Sequence, residues 1–250
     1  MRERLEWRQQ MKGILRRTVN ALYPPVCPAC GEISVNAAGG GVICETCRKQ
    51  LKYIGGLRCL RCGKPVTAES VEYCFDCAHT AHAFTQGVGI WSYTEEMKAS
   101  MYRFKYQNKR EYAAVYAKEL QAECGEVIRS WEAEALIPVP LHLSKLRSRG
   151  YNQAEVLADA IGMQMGIPVD TSVLERCRKT LPQKELNDQE RFRNLEKAFK
   201  IVGNVVKYKK IILVDDIYTT GATIDACAKQ LLAAGAQKIY YAAVCIGKGF

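Results

Sequence analysis

Apolar and polar positions follow different rules in the two halves of this chain. Near the start, Trp7, Met11, Ile14, Leu15, Val19 and Leu22 recur at helical spacing, with Arg2, Arg4, Arg8, Lys12, Arg16 and Arg17 alongside, until Pro24 and Pro25 end the pattern. This predicts a basic amphipathic helix over residues 1–25, its apolar stripe packed on the neighbouring module or, alternatively, its basic face laid on an anionic membrane or nucleic acid. Residues 26–83 are punctuated by cysteines, with Ala37, Ala38, Gly39, Gly40 and Gly41 as a flexible hairpin tip. From residue 84 to 250 strand and helix patterns alternate: strands over 88–93, 135–140, 211–214 and 239–246, helices over 98–121, 153–165 and 225–234. Ile211, Ile212, Leu213 and Val214 read as a strand buried on both faces, the kind found in parallel sheets covered by helices. The larger domain is therefore predicted to be α/β.

Chemistry gathers where that buried strand ends. Asp215 and Asp216 fall at its carboxyl end, followed by Ile217, Tyr218, Thr219, Thr220, Gly221, Ala222 and Thr223 before the next helix. In open parallel sheets this end is where ligands sit. Residues 219–223 would gather backbone N–H groups at a helix start, where the dipole also attracts an anion. Gly221 allows a left-handed turn and close approach to phosphate oxygens, and the threonine hydroxyls add donors. The paired carboxylates can accept from vicinal sugar hydroxyls, or hold Mg2+ directly or through water. A plain acidic turn is the bland alternative, but the whole string describes a phosphate-and-ribose site.

A second stretch has matching character. Ile137, Pro138, Val139, Pro140, Leu141 and His142 lead from a strand into a basic loop with Lys145, Arg147, Arg149 and Gly150, then Tyr151, Asn152, Gln153, Ala154 and Glu155 at a helix start. Taken alone it could be a solvated charge run. Beside the acidic loop it is a second anion anchor, as a ligand with phosphates at both ends requires. The segment 176–194 is polar and aperiodic, with Arg176, Arg178, Lys179, Lys184, Arg191 and Arg193, and is expected to be a surface loop or a lid over such an anion.

Eight of the twelve cysteines form Cys-x-x-Cys pairs: Cys27/Cys30, Cys44/Cys47, Cys59/Cys62 and Cys74/Cys77. Each pair on a tight turn directs two thiolates at one ion, and two pairs complete the four-sulfur tetrahedron that zinc prefers. Two zinc sites are expected, with sequential pairing the simpler arrangement and crossed pairing the alternative. A disulfide framework needs an oxidising compartment, which the absence of a secretory leader argues against. His79 and His82 read as surface or packing residues, and Cys124, Cys177, Cys227 and Cys245 as buried small side chains.

Net charge is +10 over 250 residues, +5 for residues 1–83 and +5 for residues 84–250, so the smaller part is about twice as densely positive. Anionic partners are favoured: nucleic acid, nucleotides or an acidic membrane surface. Tyr102, Phe104, Tyr106, Tyr112 and Tyr116 interleave with Arg103, Lys105, Lys109 and Arg110; such a series can stack bases and neutralise single-strand phosphates, or simply bury a helix face. No apolar run is long enough to span a bilayer, so the expected location is cytoplasmic, with a peripheral association at the inner face of the membrane as a variant.

The acid pair and Thr/Gly turn resemble the phosphoribosyl-pyrophosphate (PRPP) loop of type I phosphoribosyltransferases. With the four knuckles, Pro138 to His142, Arg149 to Glu155 and the Thr180, Gln183, Leu186, Arg191 and Asn194 segment, nearly the whole chain resembles the ComF family. That resemblance implies a double zinc ribbon with four cysteines to each metal (residues 26–83), followed by a type I phosphoribosyltransferase fold (residues 84–250), and a role in DNA uptake. It implies Asp215 and Asp216 on the ribose hydroxyls and residues 219–223 on the 5′-phosphate. Expected partners are PRPP with Mg2+, single-stranded DNA and proteins of the uptake machinery. The enzyme alternative is transfer of ribose 5-phosphate to an amine or base, with Arg147, Arg149, Arg178 and Lys184 as candidates for stabilising the departing pyrophosphate. A regulator that senses PRPP and binds nucleic acid is the third.

Overall fold

The structure, a computed structural model, describes residues 22–36, 41–177, 198–202 and 207–247. The predicted N-terminal helix and most of the basic segment after Cys177, including Arg178 and Lys184, lie outside the described residues. The chain divides into two compact units, Met1–Gln50 and Leu51–Phe250.

Within the first unit, Cys27 N donates to Glu32 O and Gly31 N to Cys27 O at 2.7 and 2.8 Å, closing a tight knuckle, and Val26 bridges Ile33 across it. A short helix, α1 (Glu45–Gln50), begins directly after Cys44 and carries Cys47 on its buried side. Gly31 has φ 88°, the left-handed turn that returns the chain after the knuckle.

The second unit opens with a knuckle of the same design. Cys59 N donates to Lys64 O, Gly63 N to Cys59 O, and Arg58 bridges Pro65, before α2 (Phe75–His79). The α/β part then runs β1 (Gln86–Ser92), α3 (Glu95–Tyr106), α4 (Tyr112–Ser130), β2 (Ala135–Pro138), α5 (Leu143–Arg149), α6 (Gln153–Met165), β3 (Leu174–Arg176), β4 (Phe199–Ile201), β5 (Lys210–Tyr218), α7 (Ala222–Ala233) and β6 (Lys238–Ile246). Four strands form a parallel sheet in the order β1-β6-β5-β2, and β3 and β4 pair antiparallel beside it. The middle of β5 is apolar: Ile211 to Val214 are fully buried, as a strand covered on both faces demands.

Side chains alternate across the sheet. Ile211, Leu213, Ile239 and Tyr241 join Ile224, Cys227 and Leu231 of α7, Phe199 of β4 and Ile54, Cys59 and Cys62 in one core. On the other helices, α4 packs against α6 and β1, and α6 against β2 and β5.

Four expectations change. The helix expected over 98–121 is broken into α3 and α4 at Asn108, whose φ of 53° is a left-handed conformation that asparagine tolerates. The basic loop 145–150 is helical: His142 caps α5 by accepting from Ser144 N, and Gly150 at φ 78° ends it. The acid pair lies inside β5, which extends to Tyr218, rather than beyond it. Cys177 is exposed, whereas Cys124, Cys227 and Cys245 are buried as expected.

Candidate functional site

Parallel pairing of β2 with β5 brings the two sequence motifs together. Pro138 lies in register with Val214, and Val139 N donates to Val214 O at 2.9 Å, so the chain leaving β2 passes directly beside Asp215. Between them is a cavity of about 140 Å³ whose lining includes Lys105, Lys145, Arg149, Arg176, Asp215, Asp216 and Thr223. Four cations and two carboxylates thus face one small volume at the carboxyl ends of the strands. That excess of positive charge suits a further anion.

Lys105, Lys145, Arg176 and Asp215 respond to their surroundings. Lys105, from the last turn of α3, reaches Asp216 at 2.8 Å. Burial alone would lower its affinity for a proton, but the attraction of Asp216 outweighs it and the ammonium is held above its ordinary value. Lys145 and Arg176 are both pushed down, chiefly by enclosure, and Lys145 further by Arg176, Arg149 and Lys105. Enclosure and then the charge of Asp216 push the Asp215 carboxyl up to about 7, although its oxygen accepts from Asp216 N at 2.8 Å. Arg149 is positioned by Nη1 donating to Gln153 Oε1 at 2.8 Å and Nη2 donating to Tyr106 Oη at 3.0 Å.

The Thr/Gly turn follows immediately. Gly221 caps α7 at φ 86°, and a Cβ there would lie 2.7 Å from Tyr218 Oη and 3.1 Å from His82 Cε1, so the turn has no room for a side chain. Thr219 is exposed, Thr220 and Thr223 are half-buried, and Gly221 and Ala222 are buried. Behind the turn, Asp225 in the first turn of α7 accepts from Ala83 N and pairs with His82 Nδ1, both at 2.7 Å.

The eight knuckle cysteines form two groups: Cys27, Cys30, Cys44 and Cys47, and Cys59, Cys62, Cys74 and Cys77, with the sulfurs of each group within 4.8 Å of one another. The grouping is sequential. Cys30 and Cys44 Sγ stand 3.8 Å apart and Cys62 and Cys74 Sγ 3.5 Å, close to the ~3.8 Å edge of a tetrahedron with Zn–S of about 2.3 Å. Four free thiols at that separation fit zinc.

The second group is fastened to the sheet. Tyr241 Oη donates to Cys62 O at 2.6 Å, and Gly87 N donates to Arg61 O at 2.7 Å. Tyr241 stacks on Tyr218 with centroids 4.4 Å apart, and Phe84 meets both rings edge-on. Tyr218, the residue preceding the Thr/Gly turn, thus belongs to the same aromatic stack that supports this cysteine group.

Arg149 of the predicted candidates lines the cavity, whereas Arg147 is exposed on α5 and is not among the lining residues. Lys105, counted in the sequence only among basic residues interleaved with aromatics, is the counter-ion of Asp216. Arg176, assigned to the basic segment, reaches the cavity from β3. Neither position is marked by local pattern; both depend on where α3 and β3 cross the sheet end. His82, read as surface or packing, is buried and hydrogen-bonded, while His79 is exposed.

The double zinc ribbon domain family matches residues 18–78. The chain is 30% identical over 202 residues to competence protein F of Haemophilus influenzae, spanning 79% of this chain and 87% of that protein. The chain belongs to the ComF family. Similarity extends to competence protein ComFC of Bacillus subtilis, 29% identical over 77% of this chain and 79% of that one. DNA utilization protein YhgH of Escherichia coli is 26% identical over 84% and 92%. A purine phosphoribosyltransferase from Pyrococcus horikoshii overlaps 55% of this ComF-family chain and 72% of its own at 17% identity, with a TM-score of 0.33, too slight a likeness to carry an argument. Among the described residues no helix is long and apolar enough to cross a membrane.

Proposed function

We propose that this ComF-family protein binds PRPP with Mg2+ and handles single-stranded DNA in its uptake or use. The observation that carries the PRPP reading is the convergence of Lys105, Lys145, Arg149 and Arg176 with Asp215 and Asp216 in one cavity, next to the Gly221 turn. PRPP has vicinal hydroxyls between two anionic ends. In this reading Asp215 and Asp216 accept from the ribose hydroxyls, residues 219–223 hold the 5′-phosphate, and Arg149, Lys145 and Arg176 meet the pyrophosphate. The carboxylates are hard oxygen donors suited to Mg2+, which would add charge neutralisation on the pyrophosphate. Competence and DNA utilization are named for the relatives, and the basic chain gives the same direction here. Calorimetric titration with PRPP and Mg2+ tests the site: Asp215→Ala/Asp216→Ala should abolish measurable binding, and unchanged affinity in that variant refutes the assignment.

A second reading is transfer of the ribose phosphate to an acceptor. It is favoured by an adjoining cavity of about 190 Å³, lined by Pro138, Leu143, Leu146 and Leu174, that shares Pro140, Leu141, Asn152 and Arg176 with the first. Arg149 and Arg176 would then stabilise charge developing on the departing pyrophosphate. Pyrophosphate release from PRPP across a panel of amines and bases decides between transfer and binding alone; binding without any release removes the transferase reading.

A further inference from the structure

The five aromatics that interleave with cations in the sequence separate in the folded chain. Phe104, Tyr112 and Tyr116 are buried and serve the core. Tyr102 and Tyr106, one turn apart on α3, keep 58% and 56% of their surface exposed, with ring centroids 5.1 Å from each other. Arg149 continues the file: its guanidinium carbon lies 4.9 Å from the Tyr106 centroid, and the same side chain lines the anion cavity. Next to it Arg110 lies 4.5 Å over the Tyr151 ring and donates to Gly150 O at 3.4 Å. Two exposed phenol rings therefore lead, through the Arg149 guanidinium, to a cation-rich cavity.

We propose that Tyr102 and Tyr106 are a stacking platform for the bases of a single-stranded nucleic acid whose phosphates run across Arg149 and Arg110 at the mouth of the anion cavity. The proposal rests on the single-strand reading above and gives it a location. The chemistry selects the occupant. Phenol rings take any unpaired base by its face, without sequence preference, and guanidinium groups one residue-length away neutralise the backbone. In a duplex the base faces are already stacked on each other. Because Arg149 serves both the platform and the cavity, an anion drawn into the cavity takes charge that the strand also uses. Strand and pyrophosphate binding are therefore antagonistic.

Fluorescence anisotropy of a 3′-labelled oligothymidine with the full chain tests this. Tyr102→Ala should weaken oligonucleotide binding by roughly tenfold, within the range of one lost base stack, and Tyr102→Trp should restore it. Inorganic pyrophosphate should weaken oligonucleotide binding to the wild type. Pyrophosphate binding by calorimetry should be unchanged in Tyr102→Ala, because Tyr102 does not line the cavity. Wild-type oligonucleotide affinity in Tyr102→Ala, or affinity indifferent to pyrophosphate, overturns the platform while leaving the single-strand reading intact. A wild type that binds no oligonucleotide at low salt removes both.

Discussion

Replacing Asp216 by Asn should move the affinities of two ligands in opposite directions. Asp216 is the counter-ion of Lys105 and, among the described residues, one of two carboxylates that line the cavity. A volume of about 140 Å³ corresponds to a sphere about 6 Å across, so a bound anion and Asp216 are separated by roughly that distance. At an effective dielectric of ~20, two unit charges at that separation repel by about 3 kcal/mol, and solvent access at the mouth reduces this to about 1–2 kcal/mol. Removing the charge should tighten inorganic pyrophosphate roughly tenfold. PRPP, which in the proposed pose also uses the carboxylate for its hydroxyls, should bind more weakly. In the ligand-free protein the same change leaves Lys105 uncompensated. Breaking a buried pair costs ~3–5 kcal/mol, and because these side chains retain 17% and 12% of their surface, about 2–3 kcal/mol is the working figure. Calorimetry without added Mg2+, with thermal melting alongside, checks all three effects. If Asp216→Asn binds pyrophosphate more weakly than the wild type without added Mg2+, the charge-balance reasoning is wrong.

Three further outcomes follow from the geometry. Gly221→Ala forces a Cβ into the left-handed region at ~1–2 kcal/mol and against Tyr218 and His82, so urea denaturation should show a loss of about 2–3 kcal/mol and ribose 5-phosphate should bind at least tenfold more weakly. Asp215 holds its proton up to about pH 7, far above an unfolded aspartate, so its contribution to stability is full below about pH 4 and lost as pH rises to 7; Asp215→Asn should flatten the wild-type decline of melting temperature across that window, and an identical pH profile counts against the assigned environment. Elemental analysis should find two zinc ions per chain, with Cys74→Ser losing one and Cys44→Ser losing the other.

Much of this architecture was written in short-range pattern. The β5 core, the α6 limits and the knuckle spacing are local signals: a buried apolar run, a capped amphipathic helix, paired thiols on tight turns. The Thr/Gly turn was legible because glycine and threonine chemistry is confined to adjacent residues. What stayed hidden depends on tertiary placement. Nothing near Lys105 says that α3 ends beside β5, and nothing near Arg176 says that β3 opens onto the same cavity. The split at Asn108 escaped because helical periodicity continues on both sides of a single left-handed residue. His82 looked ordinary because its partner, Asp225, is 143 positions away.

The hydrogen bond from Tyr241 to Cys62 bears on how this protein can be taken apart. A chain shortened to begin at residue 84 would keep every sheet strand, yet it would strip the cover from Phe84, Tyr218 and Tyr241 and leave a phenol hydroxyl without its acceptor. A natural cut falls instead after Gln50, where the two compact units divide. Any attempt to study the Gly221 turn and its cavity in isolation therefore has to carry one four-cysteine group with it, and a chelator added to strip metal also disturbs the floor beneath that turn.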